Sequence, residues 1–291
     1  MLVLGVSAGA GGARGVLTAP DRPHHEPVAR CDVRRRTGAE IGEAVISVIR
    51  TLRAAAVDRS EMVAATAVTL RTGIDPEAVY DASAAQSRHH VRVVPETSSQ
   101  LRYLRFTGLI PRHGASVLYD VGSSGLSACV ADAASGEVLV ARRSAVVGGD
   151  QFDRSLQAYL FDQGFRLDLT ECRDLKEQLG HERVATATDP DTGACRVLTG
   201  SDLAALTRDA VAHSTSVLRS MIRESKVRPS RIVVLGGGAR VPGLVATLQS
   251  ELRIQTVVPP EPASVAGRGA VLLAAATAAP AARPGPAFAG W

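Results

Sequence analysis

The sequence predicts an α/β protein, and three observations carry that reading. Short apolar runs of strand character alternate with amphipathic stretches of helical period. Each half opens in the same way, with strand, glycine-rich turn and strand, first over residues 2–18 and again over 116–131. The chain of 291 residues, 45% hydrophobic and 21% charged, also has an ordinary globular balance, enough for one large domain or two packed ones.

Taken in order, residues 2–6 read as a strand, 8–12 as a glycine turn and 15–18 as the returning strand. Pro20 and Pro23 then break the chain into a charged loop that runs through Arg36. Thr37 and Glu40 have capping-box spacing, and Ile41, Val45, Val48, Ile49 and Leu52 recur at helical intervals, so a helix to about residue 56 follows. Residues 62–68 are strand-like, 75–87 helical, 91–94 a strand and 96–106 helical, with 108–114 a crossover. The second half gives strands at 116–119, 126–131 and 138–147, helices at 151–161 and 169–179, and a hairpin over 184–197 in which Asp189-Pro190-Asp191 makes the turn. A long helix at 202–225 has its buried stripe at Leu203, Leu206, Ala210, His213, Val217, Leu218 and Met221. A strand at 232–235, a helix at 242–252, a short strand at 256–258 and a closing helix at 263–278 complete the pattern. Residues 279–291, rich in Pro, Ala and Gly, read as a flexible tail. The expected division is a shortened first lobe over 1–110 and a second lobe over 111–278.

Composition removes several functions. Aromatics are 3% of the chain, too few for stacking on single strands, and a net charge of +4 is too small and scattered for a nucleic-acid footprint. Arg34-Arg35-Arg36 reads as a solvated loop. Cys31, Cys129, Cys172 and Cys195 have no C-x-x-C spacing, which points to reduced structural thiols and a cytoplasmic setting, with no membrane span. His24-His25 and His89-His90 read as solvated loop pairs rather than metal ligands.

Three loops built from Gly, Ser and Ala follow strands, and such turns let backbone amides approach an anion. None has the G-K-[ST] of a P-loop. The first puts Arg14 where a dinucleotide fingerprint needs glycine, and no helix follows it. Ser123-Ser124 lacks the G-x-S-x-G context of a hydrolase nucleophile.

The joint pattern is Tyr119-Asp120-Val121-Gly122-Ser123-Ser124-Gly125, then Gly148-Gly149-Asp150-Gln151-Phe152-Asp153, then Val234-Leu235-Gly236-Gly237-Gly238-Ala239-Arg240-Val241-Pro242. It resembles the nucleotide-binding domain of the seventy-kilodalton heat-shock chaperones, firmly over residues 116–275. The resemblance implies an actin-like (ribonuclease H-like) duplicated two-lobe fold with a central nucleotide cleft that holds ATP or ADP with magnesium. It implies that Asp120 holds magnesium-bound water, that Gly122, Ser123, Ser124 and Gly125 supply amides to the β- and γ-phosphates, that Gly148 and Gly149 also belong to the nucleotide site, and that Glu96 is directed at the magnesium. It further implies that Lys176 contacts the ribose and that Gly236, Gly237 and Gly238 carry the adenosine, with Arg240 near the base.

Departures from the family's pattern bear on activity. The first loop, Ser7-Ala8-Gly9-Ala10-Gly11, has no carboxylate; Gly125 stands where the family has a hydroxyl, Ser127 where it has an aspartate and Arg173 where it has a glutamate. The segment of the catalytic lysine has no counterpart, and Pro95-Glu96 reverses the family's order. Phosphoryl transfer depends on positioning and charge stabilisation, and each lost group costs about a hundredfold or more. The expectation is a chaperone-like nucleotide binder with weak or absent hydrolysis, no peptide-binding module and a protein partner of unknown identity. The alternatives are a non-catalytic actin-fold scaffold that no longer binds nucleotide, and a small-molecule kinase using Asp150 or Asp120 as base.

Overall fold

The computed structural model describes residues 1–36, 38–71, 73–84 and 91–278. The expectations for Thr37, His89-His90, the end of the 75–87 helix and the 279–291 tail therefore fall outside the described residues. The chain divides into two compact units. The first comprises Met1–Ala8, Gly12–Tyr103 and residues 266–278; the second comprises Gly9–Gly11 and Leu104–Val265.

The first unit holds strands β1 (Leu2–Gly9), β2 (Gly12–Thr18), β3 (Ala29–Arg34), β4 (Val63–Leu70) and β5 (Val91–Pro95) in the order β3-β2-β1-β4-β5. Its helices are α1 (Ile41–Val57), α2 (Glu77–Ala84) and, up to Tyr103, α3 (Glu96–Phe106). Central strand β1 is an apolar, buried run from Leu2 to Val6 because both its faces are covered there. Strand β3 corrects the expected loop through Arg36. It pairs antiparallel with β2 from Gly12↔Arg34 to Leu17↔Ala29, and its exposure alternates along the strand. An edge strand of this kind shows period 2 and no apolar run, and Ala29, Cys31 and Val33 on its inner face carried that signal. The N-cap of α1 is Glu40, which makes no side-chain cap bond.

The second unit holds β6 (Ala115–Val121), β7 (Leu126–Asp132), β8 (Val138–Ser144), β11 (Pro229–Leu235) and β12 (Gln255–Val257) in the order β12-β11-β6-β7-β8, with β9 (Val184–Thr188) and β10 (Cys195–Thr199) as a separate hairpin. Its helices are α4 (Gly149–Asp162), α5 (Leu169–Leu179), α6 (Gly200–Ser225) and α7 (Leu244–Leu252). Read from the other edge, this sheet is the first one repeated. A central strand has two parallel neighbours in succession on one side (β4 and β5; β11 and β12), and on the other a strand whose outer neighbour is antiparallel. The internal repeat expected from the two strand–glycine–strand openings is thus a repeat of sheet topology.

The closing helix α8 (Val265–Ala278) corrects the expected lobe division, because its residues from Ala266 onward belong to the first unit. There Ala270, Val271 and Ala274 cluster with Val3, Val16, Ala67 and Val94. Glycines permit the approach: a Cβ on Gly269 would lie 1.8 Å from the Ser99 carbonyl oxygen of α3. Buried Arg268 donates to the carbonyls of Pro23 and His25 (2.8 Å for the latter), tying the β2–β3 connection to α8.

The stripe on α6 is also corrected. Its buried residues are Leu203, Thr207, Val211, Ser214, Thr215, Leu218 and Met221, and His213 is exposed. A polar contact turns the helix: the hydroxyl of fully buried Tyr119 donates to Ser214 Oγ at 2.8 Å, and Ser214 donates to the Val211 carbonyl at 2.6 Å. Burial pushes the Tyr119 phenol up to about 12 against the opposing effect of that bond. Ser214→Ala is therefore expected to cost about 1–3 kcal/mol, because it strands a buried donor, and Tyr119→Phe only about 1 kcal/mol. Denaturant titration of both variants checks that order.

Candidate functional site

The predicted loops of the second unit meet at one sheet edge. Strands β6 and β11 run parallel in the register Val234↔Tyr119 and Leu235↔Asp120, so their C-terminal ends leave the sheet side by side, the usual position for ligands in parallel sheets. The loop after β6 is Gly122–Gly125, and the loop after β11 enters a 3-10 turn, Gly237–Arg240.

The first of these loops is held by its own backbone and by the start of α4. The Gly122 N–H donates to the Gly125 carbonyl at 3.0 Å, the Gly149 N–H to the Gly122 carbonyl at 2.9 Å and the Asp150 N–H to the Ser123 carbonyl at 2.8 Å. The amide of Gly122, expected to face phosphate, and that of Gly149 are thus engaged within the protein. Gly148 is a packing residue, since a Cβ there would lie 2.4 Å from the Gly125 nitrogen.

The three glycines after β11 have separate tasks. Gly236 has φ +79°, and a Cβ on it would meet Asp120 Oδ1 and the Val121 carbonyl oxygen, each at 2.4 Å. A Cβ on Gly238 would meet Val121 Cγ1 at 2.3 Å. Gly237 has nothing within 4 Å of where its Cβ would stand. Two glycines are therefore fixed by packing, and the middle one presents open backbone.

Asp120 is half-buried at the end of β6, opposite Ser127 of β7 in the antiparallel register. The Ser127 hydroxyl is buried and has no hydrogen-bond partner in the protein. Cys129, further along β7, is buried, and desolvation together with the Asp120 charge lifts its thiol to about 12, so it is no nucleophile. Glu96 is the first residue of α3 and is assigned to the first unit, whereas the loops above belong to the second.

Lys176 on α5 lies in an ion-pair network that the sequence did not disclose. Its Nζ is 2.5 Å from Asp153 Oδ1 and donates to the Gly149 carbonyl at 3.1 Å. Arg173, one turn earlier, places Nε 3.2 Å from Asp153 Oδ2 and Nη2 3.0 Å from Asp150 Oδ1. Burial opposes the charge on Arg173, but the Asp153 hydrogen bond and the charges of Asp153, Asp150 and Glu177 outweigh it and hold the guanidinium above its ordinary range. The signal was present as two i,i+3 pairs of opposite sign, Asp150/Asp153 on α4 and Arg173/Lys176 on α5. Arg240 sets its Nη1 3.0 and 2.6 Å from the two ring nitrogens of His181, just beyond the end of α5 and another residue the sequence motifs did not mark.

Among the described residues no group of three or more His, Cys, Asp or Glu could hold a metal ion. His24 and His25 pack ring against ring, with centroids 4.4 Å apart. Asp189 does make the β9–β10 turn, its carboxylate accepting from the backbone of Arg166 and Thr192. An open hollow of about 370 Å³, lined by Arg154, Phe161 and Arg166 among others, lies on the C-terminal half of α4, away from the glycine loops. No described helix is long and apolar enough to cross a membrane.

The repeated sheet defines an actin-like, duplicated two-lobe α/β fold. The chain is similar, at TM-score 0.59 and 17% identity over 96% of both chains, to the activator of the 2-hydroxyisocaproyl-CoA dehydratase from Clostridium difficile, solved with bound ADPNP. No protein-family model matches the chain, and no curated protein matches it.

Proposed function

We propose that the second unit binds an adenine nucleotide, ATP or ADP with magnesium, hydrolyses it weakly or not at all, and thereby regulates a protein partner. The observation that carries this reading is the open backbone of Gly237 between two glycines locked against Asp120 and Val121, at the shared C-terminal edge of β6 and β11. The ADPNP bound to the structural neighbour supports the ligand class, and its role as an activator supports a partner protein. The heat-shock resemblance over residues 116–275 supports a chaperone-like nucleotide module, and four free thiols support a cytoplasmic setting.

The residues present fit magnesium carried by the nucleotide. Asp120 and the orphaned Ser127 hydroxyl are hard oxygen donors opposed across two strands, and magnesium keeps most of its water and takes only one or two carboxylates. When bound, the ion would screen phosphate charge; Asp120 would hold a water of its shell, and Ser127 would bond to that water. Weak turnover is supported by the missing first-loop carboxylate and by the pairing of Lys176 with Asp153.

A partner-binding scaffold without nucleotide is the second reading, favoured by the internal engagement of the Gly122 and Gly149 amides. Thermal unfolding with and without Mg-ATP or Mg-ADP separates the two. A ligand at a hundredfold excess over its Kd stabilises by about 2.7 kcal/mol, which raises the midpoint by several degrees. An unchanged midpoint at millimolar nucleotide would establish the scaffold.

A further inference from the structure

We propose that Arg143 reads the terminal phosphate of the nucleotide and makes the site prefer ATP over ADP; this rests on the nucleotide reading above. The registers of β6, β7 and β8 set Asp120 opposite Ser127 and Ser127 opposite Arg143. Directly opposed residues of adjacent strands share a face, so carboxylate, hydroxyl and guanidinium form one polar row across the three strands. The guanidinium extends over the glycine loop, where Arg143 Nη2 donates to Ser124 Oγ at 3.4 Å. Its neighbour Arg142 points to the other face, as alternation requires, and pairs with Glu224 at 2.5 Å.

The site's charge pattern calls for such a residue. The Gly122, Gly149 and Asp150 amides already donate to carbonyls, which reduces the loop's backbone capacity for an anion. Lys176 and Arg173 face Asp150 and Asp153, two cations against two carboxylates, so that cluster offers a phosphate little net attraction. Arg143 brings positive charge to the loop itself, at Ser124. A guanidinium presents parallel N–H donors that match two oxygens of one phosphate, which a lysine cannot do. It also stands on the same row as Asp120, so terminal phosphate and metal-bound water would be handled from one face. Nothing in the glycine motifs themselves marks Arg143; the strand register does.

The test is calorimetric titration of the full chain with Mg-ATP and with Mg-ADP, for wild type, Arg143→Gln, Arg143→Lys and Arg142→Gln. Arg143→Gln is expected to weaken Mg-ATP at least tenfold while Mg-ADP stays within about threefold, with Arg143→Lys in between, Arg142→Gln like wild type, and the unliganded unfolding midpoint unchanged. Equal weakening of both nucleotides by Arg143→Gln, no weakening, or the same effect from Arg142→Gln overturns the assignment to Arg143 while leaving nucleotide binding in place. Failure of the wild type to bind either nucleotide overturns the underlying reading and this one with it.

Discussion

Asp153→Ala is expected to destabilise the protein by roughly 3–5 kcal/mol, the usual consequence of removing one partner from a buried ion pair. The Asp153 side chain is 2% exposed and that of Lys176 11%, so neither charge can turn to water when the other is lost. Arg173, at 30% exposure, would retain Asp150 and suffer less. The damage should centre on the first turn of α4, because Lys176 also holds the Gly149 carbonyl there. Denaturant unfolding measures the loss, and the double variant Asp153→Ala/Lys176→Met supplies the control. Removing both charges leaves none uncompensated, so the double variant should recover part of the stability lost in the single one. A single variant within about 1 kcal/mol of wild type would show that the pair is solvated in solution and that Lys176 is available to a ligand.

That network shows where the sequence became illegible. The glycine loops could be read because a strand, a tight turn and a returning strand are neighbours in the chain, and their meeting follows from β6 and β11 running parallel. The Asp153–Lys176 pair joins two helices, and its partners are identified only once α4 lies against α5. Strand β3 was missed because an edge strand with one covered face carries half the apolar signal of β1. The stripe of α6 was misread because Thr207, Ser214 and Thr215 face inward, where the Tyr119 hydroxyl requires a partner that an apolar periodicity count discards. Helix α8 was assigned by its place in the chain, although its small residues, Gly269 above all, fit it against α3 of the first unit. Local punctuation was legible, and long-range polar pairing was not.

Replacing the three glycines after β11 one at a time is expected to separate folding from binding. Gly236→Ala should cost about 2 kcal/mol or more, because φ +79° is a left-handed conformation and the new Cβ would press on Asp120 and the Val121 carbonyl. Gly238→Ala should also destabilise, by crowding Val121 Cγ1. Gly237→Val should leave the unliganded unfolding midpoint near that of wild type, since no atom lies within 4 Å of the added Cβ. The same variant should abolish the rise in midpoint produced by Mg-ADP, because a branched side chain would fill the open backbone face against which the adenosine is proposed to lie. Arg240 and His181, at the end of the turn, should keep their mutual contact in that variant and give it no reason to unfold. A Gly237→Val protein that folds and still responds to nucleotide like wild type would reduce the loop to a structural turn and move the binding site elsewhere. A protein that fails to fold would instead show that the space beside Gly237 is occupied in solution.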